Sequence, residues 1–92
     1  MSEWISVTDR LPDRAEQVLI VWKNTNPEPY YSHIKDKYFV SSGVCHNGKW
    51  HWWSAVCEDY LLEYGRCDFD EMDDAIEVTH WMPLPEPPEV KE

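Results

Sequence analysis

Two stretches of the chain alternate between hydrophobic and polar residues, and a third is wholly apolar. Residues 4–7 (Trp-Ile-Ser-Val) and 76–82 (Ile-Glu-Val-Thr-His-Trp-Met) follow the two-residue period of half-buried strands. Strict alternation in the second stretch would place Val78 and Trp81 on opposite faces of the sheet. Residues 18–22 (Val-Leu-Ile-Val-Trp) are β-branched or aromatic at four of five positions and too short for a helix. They predict a buried strand.

An Asn47-Gly48 pair separates two further strand-like runs. A tight two-residue turn needs positive φ at both central residues, and Asn and Gly adopt this conformation at low cost. We therefore predict a β-hairpin with strands near 37–46 and 49–54. In the second strand, Trp50 and Trp52 should share one face of the sheet, because side chains alternate along a strand.

Residues 57–64 are the only good helix candidate. Tyr60, Leu61 and Tyr64 would form its apolar face, acidic residues occupy its first turn, and Gly65 can end it in the left-handed conformation. A helix of about two turns is stable only when it docks on other structure. Together the elements predict an α+β fold dominated by a small antiparallel β-sheet, with this one short helix.

Both ends of the chain combine bulky apolar residues with proline. Residues 4–12 read Trp-Ile-Ser-Val-Thr-Asp-Arg-Leu-Pro, and residues 79–88 read Thr-His-Trp-Met-Pro-Leu-Pro-Glu-Pro-Pro. Free termini usually fray unless they are tied down. We therefore expect both ends to pack on one core, with at least two of Trp4, Trp22 and Trp81 largely buried.

Length and composition limit the broad class of protein. Ninety-two residues suit one domain, which we place over residues 1–92, with a proline-rich, acidic tail at 85–92 expected to be flexible. No run approaches the ~20 apolar residues of a membrane span, and no signal peptide is evident. Three cysteines are an odd number for a secreted disulfide framework. The composition therefore favours a soluble, cytoplasmic protein.

Charge is distributed unevenly along the chain. Eighteen acidic and eight basic residues give a formal net charge of −10, which disfavours direct binding to nucleic acid. Nine of the acidic residues lie within residues 58–77, opposed only by Arg66. Such a block is typical of a solvated loop, and a binding surface for a basic partner protein is the alternative. The candidate partner-binding residues are Glu58, Asp59, Glu63, Asp68, Asp70, Glu71, Asp73, Asp74 and Trp53.

Residue types that bind metals or carry catalysis are present without a recognisable spacing. Eleven residues separate Cys45 from Cys57 and nine separate Cys57 from Cys67, whereas structural zinc sites use cysteines about two to four residues apart. Residues 68–74 lack the glycine of a calcium loop, and its bidentate glutamate is absent too. Cys45 and His51 could be paired across the hairpin, but two ordinary strand residues explain them better. We predict no catalytic residue, metal site or cofactor.

The two terminal motifs resemble those of domain of unknown function family 551 (DUF551), small proteins found chiefly in tailed phages and prophages. The resemblance extends to the strand at 18–22 and to Asn-Gly-Lys-Trp at 47–50, so it covers nearly the whole chain. Residues 23–37 and 57–75 depart from the compact pattern of the family. The resemblance implies a phage or prophage origin and a bacterial cytoplasmic setting. It supplies no activity, cofactor or catalytic residue.

Two main classes of function remain open at this point. The first is a small non-enzymatic, phage-encoded binding protein that modulates a host factor, for example by inhibiting a defence or nucleic-acid-handling protein through an acidic face. The alternative is a small-ligand-binding or enzymatic domain with an aromatic-lined cleft. A third option is an accessory module joined to other phage proteins through its proline-rich end. A deep cleft with converging polar groups would favour the alternative, and a convex acidic face would favour the binding protein.

Overall fold

The computed structural model describes residues 3–67 and 69–86. Its five strands form one antiparallel sheet in the order β1-β5-β2-β3-β4. The strands are β1 (Ile5–Ser6), β2 (Val18–Asn24), β3 (Phe39–His46), β4 (Lys49–Trp52) and β5 (Ile76–Pro83). The helices are a 3₁₀ helix (Pro29–Ile34) and one α-helix, α1 (Ala55–Tyr64). The protein is thus mainly β, as predicted, and the label α+β describes it only loosely.

The two terminal motifs meet in the sheet. Ile5 of β1 lies opposite Trp81 of β5, and the Trp81 indole N–H donates to the Arg10 carbonyl oxygen at 3.0 Å. Trp81 is buried, and Ile5 and Val7 of the first motif pack against the same core, which confirms that both motifs dock. Trp22 of β2 is partly buried against this core as well. Trp4, however, is 41% exposed. Trp4 is thus the one of the three tryptophans that stays outside the core, because pairing with β5 begins only at Ile5 and Trp4 lies beyond the end of the sheet.

The closing strand β5 contains a bulge that the sequence pattern does not reveal. Its register against β2 shifts between Val21 and Trp22, which leaves Thr79 without an opposite residue on β2. A bulge adds one residue to a strand and so moves the alternation by one position. Val78 and Trp81 therefore belong to the same buried cluster. The predicted strict alternation, which separates these two side chains, is wrong.

Two buried clusters lie on opposite sides of the sheet. In β3, Gly43 lies on the same side of the sheet as the Ile20 side chain, because a Cβ on Gly43 would lie 3.0 Å from Ile20 Cδ1. The next residue, Val44, points to the opposite side. Trp50 and Trp52 pack together on the Ile20 side, which confirms that they share a face. The buried members of the first cluster, the tryptophan core, are Val18, Ile20, Val78 and Trp81. Those of the second, the helix core, are Val44, Cys57, Leu61 and Cys67.

The Asn47-Gly48 hairpin is confirmed, with φ angles of 52° and 80° between β3 and β4. β3 begins at Phe39 rather than at residue 37, and β4 ends at Trp52 rather than at residue 54. The Trp53 N–H still donates to the Ser42 carbonyl oxygen of β3 at 3.3 Å, and the chain then turns into α1 at Ser54.

Helix α1 begins two residues earlier than predicted. The Ser54 hydroxyl oxygen accepts a hydrogen bond from the Cys57 backbone N–H at 3.0 Å, which is the contact of an N-cap residue. Gly65 ends the helix with φ of 74°, as predicted. The buried side chains are Cys57 and Leu61, whereas both tyrosines of the predicted apolar face are exposed. That prediction is therefore wrong for the tyrosines.

Neither helix within the described residues is long and apolar enough to cross a membrane. Of the tail predicted at 85–92, residues 87–92 lie outside the described part of the chain, as does Asp68.

Candidate binding surface

Helix α1 exposes several apolar side chains to solvent. Only two of its ten residues are buried, so the helix docks on the sheet along a narrow line. Isolated exposed apolar residues are ordinary, but a contiguous exposed patch commonly marks a binding site. Four apolar side chains of the helix are at least 44% exposed: Val56, Tyr60, Leu62 and Tyr64.

Three aromatic rings and one cation form a shallow cup beside this helix. Tyr60 contacts Tyr64 and Phe69 edge to face, with ring centroids 5.4 and 5.2 Å apart. Edge-to-face packing of this kind is favourable because the positive edge of one ring meets the negative face of the next. The guanidinium side chain of Arg66 completes the wall, and the cup has a volume of about 330 Å³. We call this group the aromatic cup.

The segment after α1 returns alongside β4 and brings Phe69 to the helix. The Trp52 N–H donates to the Asp70 carbonyl oxygen at 2.8 Å, and the Met72 N–H donates to the Trp50 carbonyl oxygen at 3.1 Å. These two bonds extend the sheet beyond β4 and cover an edge that would otherwise be open to other chains. The position of Phe69 is thus fixed by backbone pairing.

Glu58 and Trp53, both predicted to bind a partner, instead contact the protein itself. A single Glu58 carboxylate oxygen accepts from the Gln17 backbone N–H at 3.0 Å and from the Trp53 indole N–H at 3.3 Å. Trp53 also packs against the helix core. These contacts join the first turn of α1 to the residue that precedes β2, and they give both side chains a structural role.

Three other predicted acids also have partners within the chain. The Asp70 carboxylate accepts from the Ser54 hydroxyl at 2.9 Å, and Asp73 accepts from the backbone N–H two residues later at 2.8 Å. Glu71 lies 3.6 Å from Lys49 Nζ, and both side chains are more than half exposed. Exposed ion pairs of this kind contribute about 0–1 kcal/mol. Asp70 and Asp73 therefore shape the loop before β5.

The other predicted partner-binding acids within the described residues are exposed, namely Asp59, Glu63 and Asp74. Residues four apart lie in rows along a helix, so Asp59 and Glu63 form a row of carboxylates beside the row of Tyr60 and Tyr64. Asp74 lies in the segment before β5. The structure thus places two predicted acids next to the aromatic cup. We call Asp59, Tyr60, Glu63, Tyr64 and Phe69 the acid–aromatic surface.

Sequence reasoning missed a second group of exposed aromatic residues, around the 3₁₀ helix. The rings of Tyr30 and Tyr31 lie 4.6 Å apart, and both are more than half exposed. Lys23 Nζ lies 5.7 Å from the centroid of the Tyr38 ring and 3.2 Å from the Glu77 carboxylate. The hydrogen bond and attraction of Glu77 raise the pKa of Lys23. The sequence shows these two adjacent tyrosines in a stretch of strand-like composition, whereas the structure places them in a 3₁₀ helix.

A polar cleft of about 340 Å³ separates the hairpin turn from the end of α1, and Lys49, Arg66 and Cys67 lie in its wall. His51 also borders the cleft but is only 3% exposed. Its Nε2 lies 3.3 Å from the Cys67 carbonyl oxygen, which can only accept, so Nε2 carries the proton. The buried Nδ1 has no hydrogen-bond partner among the described residues. Since Nδ1 is covered by protein, a ligand in the cleft does not reach it.

The three cysteines are buried free thiols. Burial raises the pKa of the Cys45 thiol. Burial, together with a hydrogen bond to the Cys67 side chain, raises the pKa of Cys57 to about 12. Because the thiolate is the reactive form, Cys57 is a poor nucleophile at neutral pH. Within residues 3–67 and 69–86 no three metal-binding side chains are grouped so that they could hold an ion.

A search of curated proteins and a search of solved structures both gave no match to this chain. A family model does match, over residues 3–89, and it is described as protein of unknown function (DUF551). This match spans the paired terminal strands, the hairpin and α1. The chain therefore belongs to the DUF551 family.

Proposed function

We propose that this chain is a non-enzymatic, phage-encoded protein that binds a basic surface of a host protein through the acid–aromatic surface. The observation that carries the proposal is the pair of rows on the outer side of α1, where Asp59 and Glu63 run beside Tyr60 and Tyr64. Residues of both kinds are exposed there, although α1 has a sheet to pack on. The host factor is a defence or nucleic-acid-handling protein, whose basic groove the acidic surface would occupy.

The two rows would play different parts in binding. Aromatic side chains are enriched among the residues that dominate binding energy, because they bury a large area with few rotatable bonds. Carboxylates at the rim increase the rate of association with a positively charged partner and disfavour negatively charged competitors. A protein with a net charge of −10 reinforces both effects at long range.

A lysine or arginine side chain of the partner fits the acid–aromatic surface best. Its cationic group can lie over the face of Tyr60 or Tyr64 and at the same time approach the carboxylate of Glu63, which combines a cation–π contact with an ion pair. Its aliphatic stem would cover the exposed apolar surface of the cup. Arg66 in the wall of the cup repels this cation, so the cationic group should lie nearer to Glu63 than to Arg66.

The small-ligand or enzymatic alternative has weaker support. The cleft between the hairpin and α1 is lined by polar side chains, but the Nδ1 of His51 is covered and its Nε2 donates to the Cys67 carbonyl oxygen. His51 is therefore not free to act as a general base for Cys67.

The test compares capture of proteins from a bacterial host lysate by the original chain and by paired variants. Asp59→Asn with Glu63→Gln removes the row of charges, and Tyr60→Ala with Tyr64→Ala removes the row of rings. The matched control is Tyr30→Ala with Tyr31→Ala, which removes two exposed tyrosines from another surface. We expect a basic host protein to be captured by the original chain and by the control, and to be lost with both test variants.

The captured protein should then be purified and its association rate measured against salt. An electrostatic encounter slows as the Debye length shortens to about 8 Å at 0.15 M salt. Added nucleic acid should compete for the same site. A captured protein that binds the Asp59 and Glu63 variant as fast as the original chain at low salt would contradict the proposal.

A further inference from the structure

Cys57 and Cys67 lie side by side beneath α1. Both are buried members of the helix core, with Cys57 fully covered and Cys67 8% exposed. The Cys67 side chain lies close enough to the Cys57 thiol to raise its pKa, and the Cys67 thiol donates to the Phe69 carbonyl oxygen at 3.0 Å. The two side chains are therefore neighbours within one buried cluster.

The return of the chain along α1 is what brings these cysteines together. The Ser54 hydroxyl donates to the Asp70 carboxylate, and the Trp52 N–H donates to the Asp70 carbonyl oxygen. These bonds hold the segment that follows Cys67 beside the first turn of the helix, where Cys57 lies. Disulfides require such closeness, because cysteines whose Cα atoms are more than about 7 Å apart cannot be bridged without backbone movement.

Cys67, unlike Cys57, has a route to solvent. It forms part of the wall of the cleft between the hairpin and the end of α1. Arg66, Lys49 and Glu71 line the same cleft, and Glu71 lies 3.6 Å from Lys49 Nζ, so Arg66 is the charge that would attract a negatively charged reagent such as oxidised glutathione. Cys67, whose small exposed fraction borders this cleft, can therefore meet a small oxidant, whereas the fully covered Cys57 cannot.

We propose that Cys57 and Cys67 form a reversible disulfide when the protein meets a low-molecular-weight disulfide. The Cys67 thiol loses its proton to solvent, and the resulting thiolate attacks one sulfur of the reagent. A mixed disulfide forms and the first thiol of the reagent leaves. Cys57 then gives up its proton, which its raised pKa makes slow at neutral pH and faster in alkaline solution, and its thiolate attacks the Cys67 sulfur and releases the second thiol. Two electrons pass from the cysteine pair to the reagent, which becomes two thiols.

The Cys57–Cys67 disulfide would close a loop between these two residues and link α1 covalently to the segment that carries Phe69. Intracellular disulfides are usually transient and redox-sensing. The inference is independent of the proposed binding partner, because it concerns only the chemistry of this chain.

The experiment exposes the folded protein to oxidised glutathione without denaturant and then counts free thiols after unfolding. We expect the count to fall from three to one and to return to three after reduction. Mass spectrometry of the unreduced digest should show the Cys57 peptide joined to the Cys67 peptide. Cys45→Ser is the matched control, since Cys45 is equally buried but lies outside the helix core, and it should still form the bond.

Two variants identify the order of attack. Cys57→Ser should stop at a mixed disulfide on Cys67, and Cys67→Ser should not react. A wild-type protein that keeps three free thiols, that stops at the mixed disulfide, or that joins Cys45 to either partner would overturn the proposal. These outcomes are measured on the wild-type protein, so they do not depend on the folding of a variant.

Discussion

The tryptophan core and the helix core occupy opposite sides of one sheet and are built in different ways. The tryptophan core draws its buried side chains from β2 and β5, with tryptophans of β2 and β4 packed around them. The helix core has four small or medium-sized members, two of them cysteines, and only two come from α1. A fully buried aromatic side chain removes about 150–250 Å² of surface from water. The four buried members of the helix core include no aromatic residue.

The helix core is accordingly fastened by polar contacts at its margin. Glu58 joins α1 to Gln17, Ser54 caps the helix and binds Asp70, and the His51 imidazole donates to the Cys67 carbonyl oxygen. Burial of apolar side chains therefore stabilises one side of the sheet, whereas directed hydrogen bonds stabilise the other. A helix held by such bonds can leave apolar side chains exposed to solvent, as α1 does at the acid–aromatic surface.

The largest expected effect is in the tryptophan core. Trp81→Ala should lower the free energy of unfolding by about 3–5 kcal/mol, because truncation of a large buried aromatic leaves a cavity. It also removes the indole N–H bond that ties the two terminal motifs together. Chemical denaturation measures the loss, and Trp4→Ala is the control, with little change expected at that exposed site. An unchanged unfolding midpoint for the Trp81 variant would contradict the closing of the fold by the terminal motifs.

In the helix core, Leu61→Ala should cost about 2–3 kcal/mol, towards the lower end of the range for buried leucines. The reason is that few large side chains surround Leu61. Hydrogen exchange should show faster opening of α1 with little change in β2 and β5. Leu62→Ala is the neighbouring control, since Leu62 is 65% exposed. Equal loss of protection throughout the sheet would show that the two cores do not differ as described.

A smaller effect is expected for the polar contact between α1 and the sheet. Glu58→Ala should cost about 1–2 kcal/mol, because the Gln17 N–H and the Trp53 indole N–H lose their acceptor. Asp59→Ala, which removes an exposed acid from the next position, should change stability by less than about 0.5 kcal/mol. Equal unfolding midpoints for the two variants would remove Glu58 from the contacts that hold the helix.

The last effect is negligible at neutral pH and appears only in alkaline solution. The pKa of Cys57 is raised in the folded protein from 9.0 to about 12. The folded state therefore keeps the thiol proton that the unfolded state loses, and stability must fall as pH rises from about 9 towards 12. In Cys57→Ala this fall should be shallower than in the original chain. Parallel stability curves in alkaline solution would show that the thiol is not protected in the helix core.

Local patterns in the sequence predicted most of the elements, because their causes lie within a few residues. The apolar run at 18–22 became β2, the Asn47-Gly48 pair turned as predicted, and Gly65 ended α1 in the left-handed conformation. The terminal motifs also docked as their apolar and proline-rich composition implied. Periodicity, turn chemistry and helix capping determine these features locally.

Other features depended on contacts between residues far apart in the chain. The bulge at Thr79 follows from pairing with β2, and it reverses which side chains of β5 share a face. The exposed tyrosines of α1 follow from the narrow line along which the helix meets the sheet. No local pattern reports either contact, so sequence reasoning assigned these faces wrongly.

The sequence by itself determined the β-rich architecture, the closing of the chain by its two ends and the acidic block from which the candidate site was drawn. Only the tertiary structure decided which acids of that block face solvent beside the aromatic cup and which, like Glu58, bind the protein itself. The physical reason is that a carboxylate lowers its free energy by accepting any nearby N–H or O–H. Whether such a donor lies within about 3 Å depends on how distant segments pack.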